Sequence, residues 1–236
     1  LLVPFGGMGG VVARGDRVLV KPNLLFSKGP DCLVHPHREL MAAVVEAVVA
    51  AGASEVVFGE SPAIQSCSSV LKKAGALSML KERGATIRDF DRPTVIEAPE
   101  AVRFKRFEMD RTPMEVDKVI NLGKVKTHAQ MFLTLGVKNT FGYVVGARKT
   151  AWHLEAGRDP EVFATMLLDL HNLRRPELTI MDGIVMMEGN GPGNGTPRAL
   201  NVLVASNNAV AMDRIICEML SFHPDQLFTD RVARRL

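Results

Sequence analysis

The chain has 236 residues, enough for one well-filled core and rather few for two domains. Apolar residues make up 47% but aromatics only 6%, so the core must rest on Val, Leu, Ile, Met and Ala. A formal charge of +3 excludes the strongly basic footprint of a nucleic-acid binder, but it leaves room for a local basic site that takes small anions.

The chain opens on LLVPFGGMGGVV, without an initiator Met, which reads as a fragment boundary inside a longer protein. Residues 17–21, RVLVK, form a short apolar strand stopped by Pro22, with Lys21 at its carboxyl end. Pro36 suits a first helical position, and Leu40, Val44 and Val48 repeat at helical spacing to a stop at Gly52. Residues 55–58 make a second strand, broken by Gly59 and Pro62. Residues 67–74 and 76–83 read as two short helices or as one interrupted by Gly75, and 85–90 is a third strand. The charged stretch 91–117 holds a short strand at 102–107. Residues 118–122, KVINL, are a clear strand, and a helix is expected over 129–135. Asp159 and Pro160 start a helix that runs to about Leu173. Strands at 178–181 and 200–205 and a helix over 209–220 complete the series.

Short apolar strands alternating with helices predict a single α/β domain over 1–236, three-layered, with a mainly parallel or mixed central sheet. Strands 17–21 and 55–58 should be parallel neighbours joined by helix 36–51. No apolar run reaches the length of a membrane span, so no membrane partner is expected, and the small net charge leaves no nucleic-acid partner expected either. Cys32, Cys67 and Cys217 stand far apart in sequence, which fits a reducing, cytoplasmic setting and offers no close-spaced ligands for an iron–sulfur cluster.

Two glycine-rich motifs fail on inspection. The run GYVVGARKT at 142–150 has the wrong spacing for a Walker A loop. The run EGNGPGNG at 188–195 leads into a strand, not into the helix that a dinucleotide fingerprint requires. Gly189, Gly191, Gly193 and Gly195 fit either a turn whose amides hold an anion or a tight surface loop.

A charge pattern carries the main signal. Between Asp117 and Glu155 there is no acid, whereas Lys118, Lys124, Lys126, Lys138, Arg148, Lys149, His128 and His153 all fall there. If the chain stays extended after Leu122, then Lys124, Lys126 and His128 share a side. Asn139 adds an amide beside Lys138. The acids that could answer these cations follow other strands: Glu60, Asp182 and Glu188, with Asp213 in the first turns of the last helix. His35 and His37 lack a third ligand at metal spacing, so no metal site is expected, and the basic residues of 103–111 read as a solvated face.

The segments GDRVLVKPNL (15–24), VINLGKVKTH (119–128), LGVKNTFG (135–142), MDG (181–183), MEGNGP (187–192) and AMD (211–213) together resemble the family called domain of unknown function 362. Residues 46–53 and the ESP run at 60–62 belong to the same resemblance. Members often carry a ferredoxin-like domain that binds [4Fe-4S] clusters. The resemblance therefore implies either a cluster domain outside this chain or a member that does without one, and it supplies no catalytic residues.

Three functional expectations follow. The first is an enzyme acting on an anionic small molecule, redox-linked through an iron–sulfur partner. Lys21, Asn23, Lys124, Lys126, Lys138, Asn139, Gly189, Gly191 and Gly193 would then bind the anion. His128 would serve as acid or base, and Asp182 and Glu188 would orient it or bind a cation. The second is a non-catalytic docking module for a ferredoxin-like electron carrier. The third is a divalent-metal hydrolase in which Asp182, Glu188 and Asp213 lie within a few ångströms of one another. In the first, Lys21, Lys124, Lys126, His128 and Lys138 should converge with Asp182 at the carboxyl edge of the sheet, beside the loop 189–195.

Overall fold

The computed structural model describes residues 1–62, 65–146 and 148–236; Ala147, inside the acid-free stretch, lies outside the described residues. The strands are β1 (Arg17–Pro22), β2 (Glu55–Glu60), β3 (Ala85–Asp89), β4 (Pro93–Glu97), β5 (Arg106–Asp110), β6 (Lys118–His128), β7 (Phe132–Thr134), β8 (Leu178–Glu188) and β9 (Thr196–Ser206). The helices are α1 (Arg38–Ala50), α2 (Cys67–Lys73), α3 (Leu77–Glu82), α4 (Thr112–Glu115), α5 (Gly136–Asn139), α6 (Arg148–Glu155), α7 (Pro160–Leu173), α8 (Ala209–Met219) and α9 (Phe228–Ala233).

The central sheet runs in the order β3-β2-β1-β6-β8-β9, with β7 paired to β6. The β3-β2-β1-β6-β8 pairings are parallel, and β9 and β7 are antiparallel additions. β4 and β5 form a separate antiparallel pair. Strands buried on both faces must be apolar at successive positions. In β1, Val18 and Val20 pack with α1, α2 and α3, whereas Leu19 packs against the cluster built on α7. A third cluster joins β7, β8 and α8 through Leu133, Met181 and Met212. The result is the three-layer α/β architecture expected, with a mixed sheet.

Several expectations hold at the level of elements. β1 and β2 are parallel neighbours joined by α1. Asp159 caps α7 by accepting from the Glu161 amide at 2.8 Å, and Pro160 occupies the first turn. Other expectations need correction. Helix α1 starts at Arg38, with the His37 ring as its N-cap, so Pro36 lies before the helix. No helix forms over 129–135. β6 instead continues to His128, turns, and pairs with β7, and α5 follows only at Gly136. The strand expected at 102–107 begins at Arg106, and its partner β4 was not anticipated.

This topology fixes where side chains gather. The chain proceeds from β1 outward to β2 and β3, then crosses back to place β6 on the other side of β1. The carboxyl ends of β1 and β6 therefore flank the point where the winding reverses, where open α/β sheets leave a crevice.

Candidate functional site

A cavity of about 290 Å³ opens at this reversal point. β1 delivers Lys21 and, just beyond it, Asn23. β2 delivers Glu60 and Ser61, β6 delivers Lys126 and His128, and β7 delivers Thr134. Lys138 and Asn139 enter from α5, and Lys149 and His153 from α6. Among the described lining residues there are four lysines and one acid, Glu60.

Lys21 is fully partnered. Its ammonium lies 2.5 Å from Glu60 Oε2 and donates to the carbonyls of Pro22 and Asn139 and to Asn139 Oδ1. Asn139 Nδ2 donates to Asn121 Oδ1 at 2.7 Å, and Asn121 donates in turn to the Gly136 carbonyl. This chain of bonds fixes every amide in it, because an ammonium can only donate. Gly142 lies against Lys21 and Glu60 so closely that a Cβ would collide with both side chains.

The other three lysines have no carboxylate partner among the described residues. Lys126, 2% exposed, donates to the Val34 carbonyl at 2.7 Å. Lys149 donates to the Ser61 carbonyl. Lys138 makes no hydrogen bond or ion pair among the described residues; its ammonium sits 5.8 Å from the Phe141 ring centre. Burial disfavours each charge, and like charges add to the effect. Burial and then the neighbouring Lys138 lower Lys126 to about 7. Burial, with Lys149 and Lys21 nearby, lowers Lys138 to about 8. Lys149 also falls to about 8, mainly through burial.

The two histidines are held in opposite tautomers. His128 Nδ1 accepts from the backbone amides of Gln130 and Met131, both at 3.2 Å, which leaves its proton on Nε2. His153 Nδ1 lies 2.9 Å from Gln130 Oε1. Gln130 Nε2 donates to the Gly157 carbonyl, so Oε1 can only accept and His153 must carry its proton on Nδ1. His153 therefore offers a lone pair at Nε2, and His128 offers an N–H. Burial, followed by the lysine charges, keeps both rings neutral by lowering their pKa values, His128 to about 2.

The sequence-predicted residues divide between this cavity and other places. Lys21, Asn23, Lys126, His128, Lys138 and Asn139 line it together. Lys124 and Asp182 do not. They form a buried ion pair at 2.9 Å in a neighbouring groove with Cys32, His35 and His37. Asp182 also accepts from the amides of His37 and Ile184. The physical reason is a bulge: Lys124 sits opposite Asp182, but the β8 residue opposite Lys126 is Met187. Glu188 is at the surface, 3.3 Å from Arg198. Asp213 accepts from the amides of Gly136 and Val137 and so anchors the start of α5; burial pushes its carboxyl up to about 7 against those two bonds. Asp182, Glu188 and Asp213 thus have separate partners, which removes the geometry the hydrolase expectation required. No group of three or more potential metal-ligating side chains occurs among the described residues.

In the glycine loop, the amides of Gly191 and Asn194 are used in turn bonds to the carbonyls of Gly189 and Asn190. Pro192 is its one member lining the lysine cavity, while Gly193 and Gly195 line a groove beside Lys28 and Cys32. Thr134 was missed because a helix was expected there. Its polar side chain on a two-residue alternation from Phe132 was the available signal.

The family description "Domain of unknown function (DUF362)" matches residues 18–218, and the chain belongs to that family. It is 40% identical over 238 residues to the thylakoid-associated protein sll1697 of Synechocystis sp., covering all of this chain and 73% of that protein. Among solved structures, it resembles a lactate racemase apoprotein from Thermoanaerobacterium thermosaccharolyticum with a TM-score of 0.59 at 12% identity. That match covers 88% of this chain, which spans half the length of the racemase chain. No helix among the described residues is long and apolar enough to cross a membrane.

Proposed function

We propose that this chain is an enzyme that binds a small anionic molecule in the lysine cavity and moves a proton on it. One observation carries the reading: four buried or half-buried lysines share a cavity of about 290 Å³ with a single carboxylate, which Lys21 already engages. Burying cations without counterions is costly, and an incoming anion removes the cost. Lys126, Lys138 and Lys149 would hold the anionic group. His128 Nε2–H would donate to an oxygen on which charge develops, and the His153 Nε2 lone pair would accept a proton. The likeness in fold to a protein named for a reaction of lactate, itself a small carboxylate, supports a substrate of this class. A flat docking face for an acidic electron carrier fits less well, because Lys21 and Lys126 are 0% and 2% exposed.

Thermal melts at constant ionic strength test the reading, with inorganic phosphate, pyrophosphate, malonate and citrate as probes. At least one should raise the melting temperature saturably, and Lys138→Met should markedly reduce that shift. No saturable shift with any probe, or an equal shift in the variant, would overturn it.

A further inference from the structure

We infer that the molecule recognised in this cavity carries hydroxyl groups as well as its anionic group. The inference rests on the anion-binding reading and narrows it. Cations alone would suit any small anion, but the cavity is also lined by residues with polar atoms that the described residues leave unpartnered.

Asn23 Oδ1 and Thr134 Oγ1 are buried polar atoms with no hydrogen-bond partner among the described residues, and both residues line the cavity. The orientation of the Asn23 amide is determined. Its Nδ2 donates to Asn139 Oδ1 at 2.7 Å, and that oxygen is itself fixed by the Lys21 ammonium. The unpartnered atom of Asn23 is therefore an oxygen, which can only accept. Thr134 is 3% exposed and stands opposite Lys126 across the β6–β7 pairing. The lone pair at His153 Nε2 is a third acceptor on the same cavity.

An anion has no proton to give Asn23 Oδ1 or His153 Nε2; a ligand hydroxyl has one, and it can also pair with the Thr134 hydroxyl as donor or acceptor. Buried polar atoms in folded proteins are nearly always paired, and leaving one unmade costs more than the bond itself contributes. A site built to bond a hydroxyl discriminates strongly against the analogue that lacks it, because its own groups are then left unpaired. The geometry points to a bipartite ligand: an anionic head on Lys126 and Lys138, and a hydroxyl-bearing neighbour atom toward Asn23 and Thr134. Hydroxycarboxylates and hydroxyalkyl phosphates share that chemistry.

Calorimetric titration with two matched pairs decides the matter: glycerate against propionate, and glycerol 3-phosphate against propyl phosphate. In at least one pair the hydroxylated member should bind ten-fold or more tightly than its partner, and the pair that shows this identifies the anionic head. Thr134→Val, nearly isosteric, and Asn23→Leu should each bring that ratio toward one while leaving the affinity of the deoxy member within about two-fold. Should Asn23→Leu disturb the Lys21–Asn139 bonds, seen as a lower melting temperature, the valine variant carries the test alone. Equal binding within both pairs would overturn the hydroxyl inference and leave the anion site standing. A ratio unchanged in Thr134→Val would overturn the assignment to these residues. Absence of binding by all four compounds would overturn both readings.

Discussion

Two lysines two residues apart on β6 do different work. Lys124 is paired with buried Asp182 at 2.9 Å, whereas among the described residues Lys126 has only a carbonyl for its ammonium. Removing Lys124 leaves a buried carboxylate held by two amides alone. Lys124→Met should therefore destabilise the fold by about 3 kcal/mol, the usual cost of breaking a buried pair. Lys126→Met removes a desolvated charge and leaves no partner charged, so it should stabilise the ligand-free protein slightly while weakening anion binding. Urea unfolding of both variants reads this directly; equal destabilisation would show that Lys126 is a structural cation like Lys124. The histidine assignment is equally open to measurement. Long-range nitrogen–proton NMR correlations near pH 7 should show His128 protonated on Nε2 and His153 on Nδ1. The same tautomer in both rings would remove the donor–acceptor pair from the proposed chemistry.

At the scale of elements, the short helix α5 depends on Asp213 for its orientation. Asp213→Ala should cost about 2 kcal/mol, because two buried amides lose their acceptor. It should also weaken anion binding, since Lys138 and Asn139 ride on α5. A variant that melts lower yet binds phosphate as the wild type does would separate α5 from the site. The same elements show how far the sequence could be read. β1, β2, α1 and α7 were legible because their apolar spacing and caps agree. β6 was read only to Leu122. Beyond that point, Lys124, Lys126 and His128 keep the two-residue alternation, but polar residues facing a site look like a loop. The alternation did place Lys126 and His128 together. It placed Lys124 with them as well, because a bulge in the neighbouring strand leaves no mark on β6 itself. The need of the lysines for an external counterion was also legible. That Glu60 from β2, not Asp182, would supply it to Lys21 depended on strand order, which no local pattern reveals.

For the molecule as a whole, the lysine cluster makes stability depend on pH in a definite direction. An unfolded lysine titrates near 10.4, whereas Lys126 in the fold falls to about 7 and Lys138 and Lys149 to about 8. A base whose folded pKa is depressed contributes fully above its unfolded value and loses that contribution as pH falls through the folded one. The ligand-free protein should therefore gain stability from pH 7 to about 10, and Lys126→Met should flatten the rise. Asp213 acts in the opposite sense at lower pH. Its contribution is complete below about 3.9 and lost as pH rises to about 7, whereas those of His128 and His171, depressed to about 2 and about 4, grow as pH rises towards about 6.5 and oppose it. A bound anion would restore the lysine protons. The most direct test is calorimetric titration of inorganic phosphate at pH 8.5, where the ligand is already dianionic, in two buffers of different ionisation enthalpy. Binding should draw protons from the buffer, so the apparent enthalpies should differ between the two, and the difference should shrink in Lys138→Met. Binding with identical enthalpies in both buffers, or no binding heat at all, would contradict the lysine cavity as an anion site.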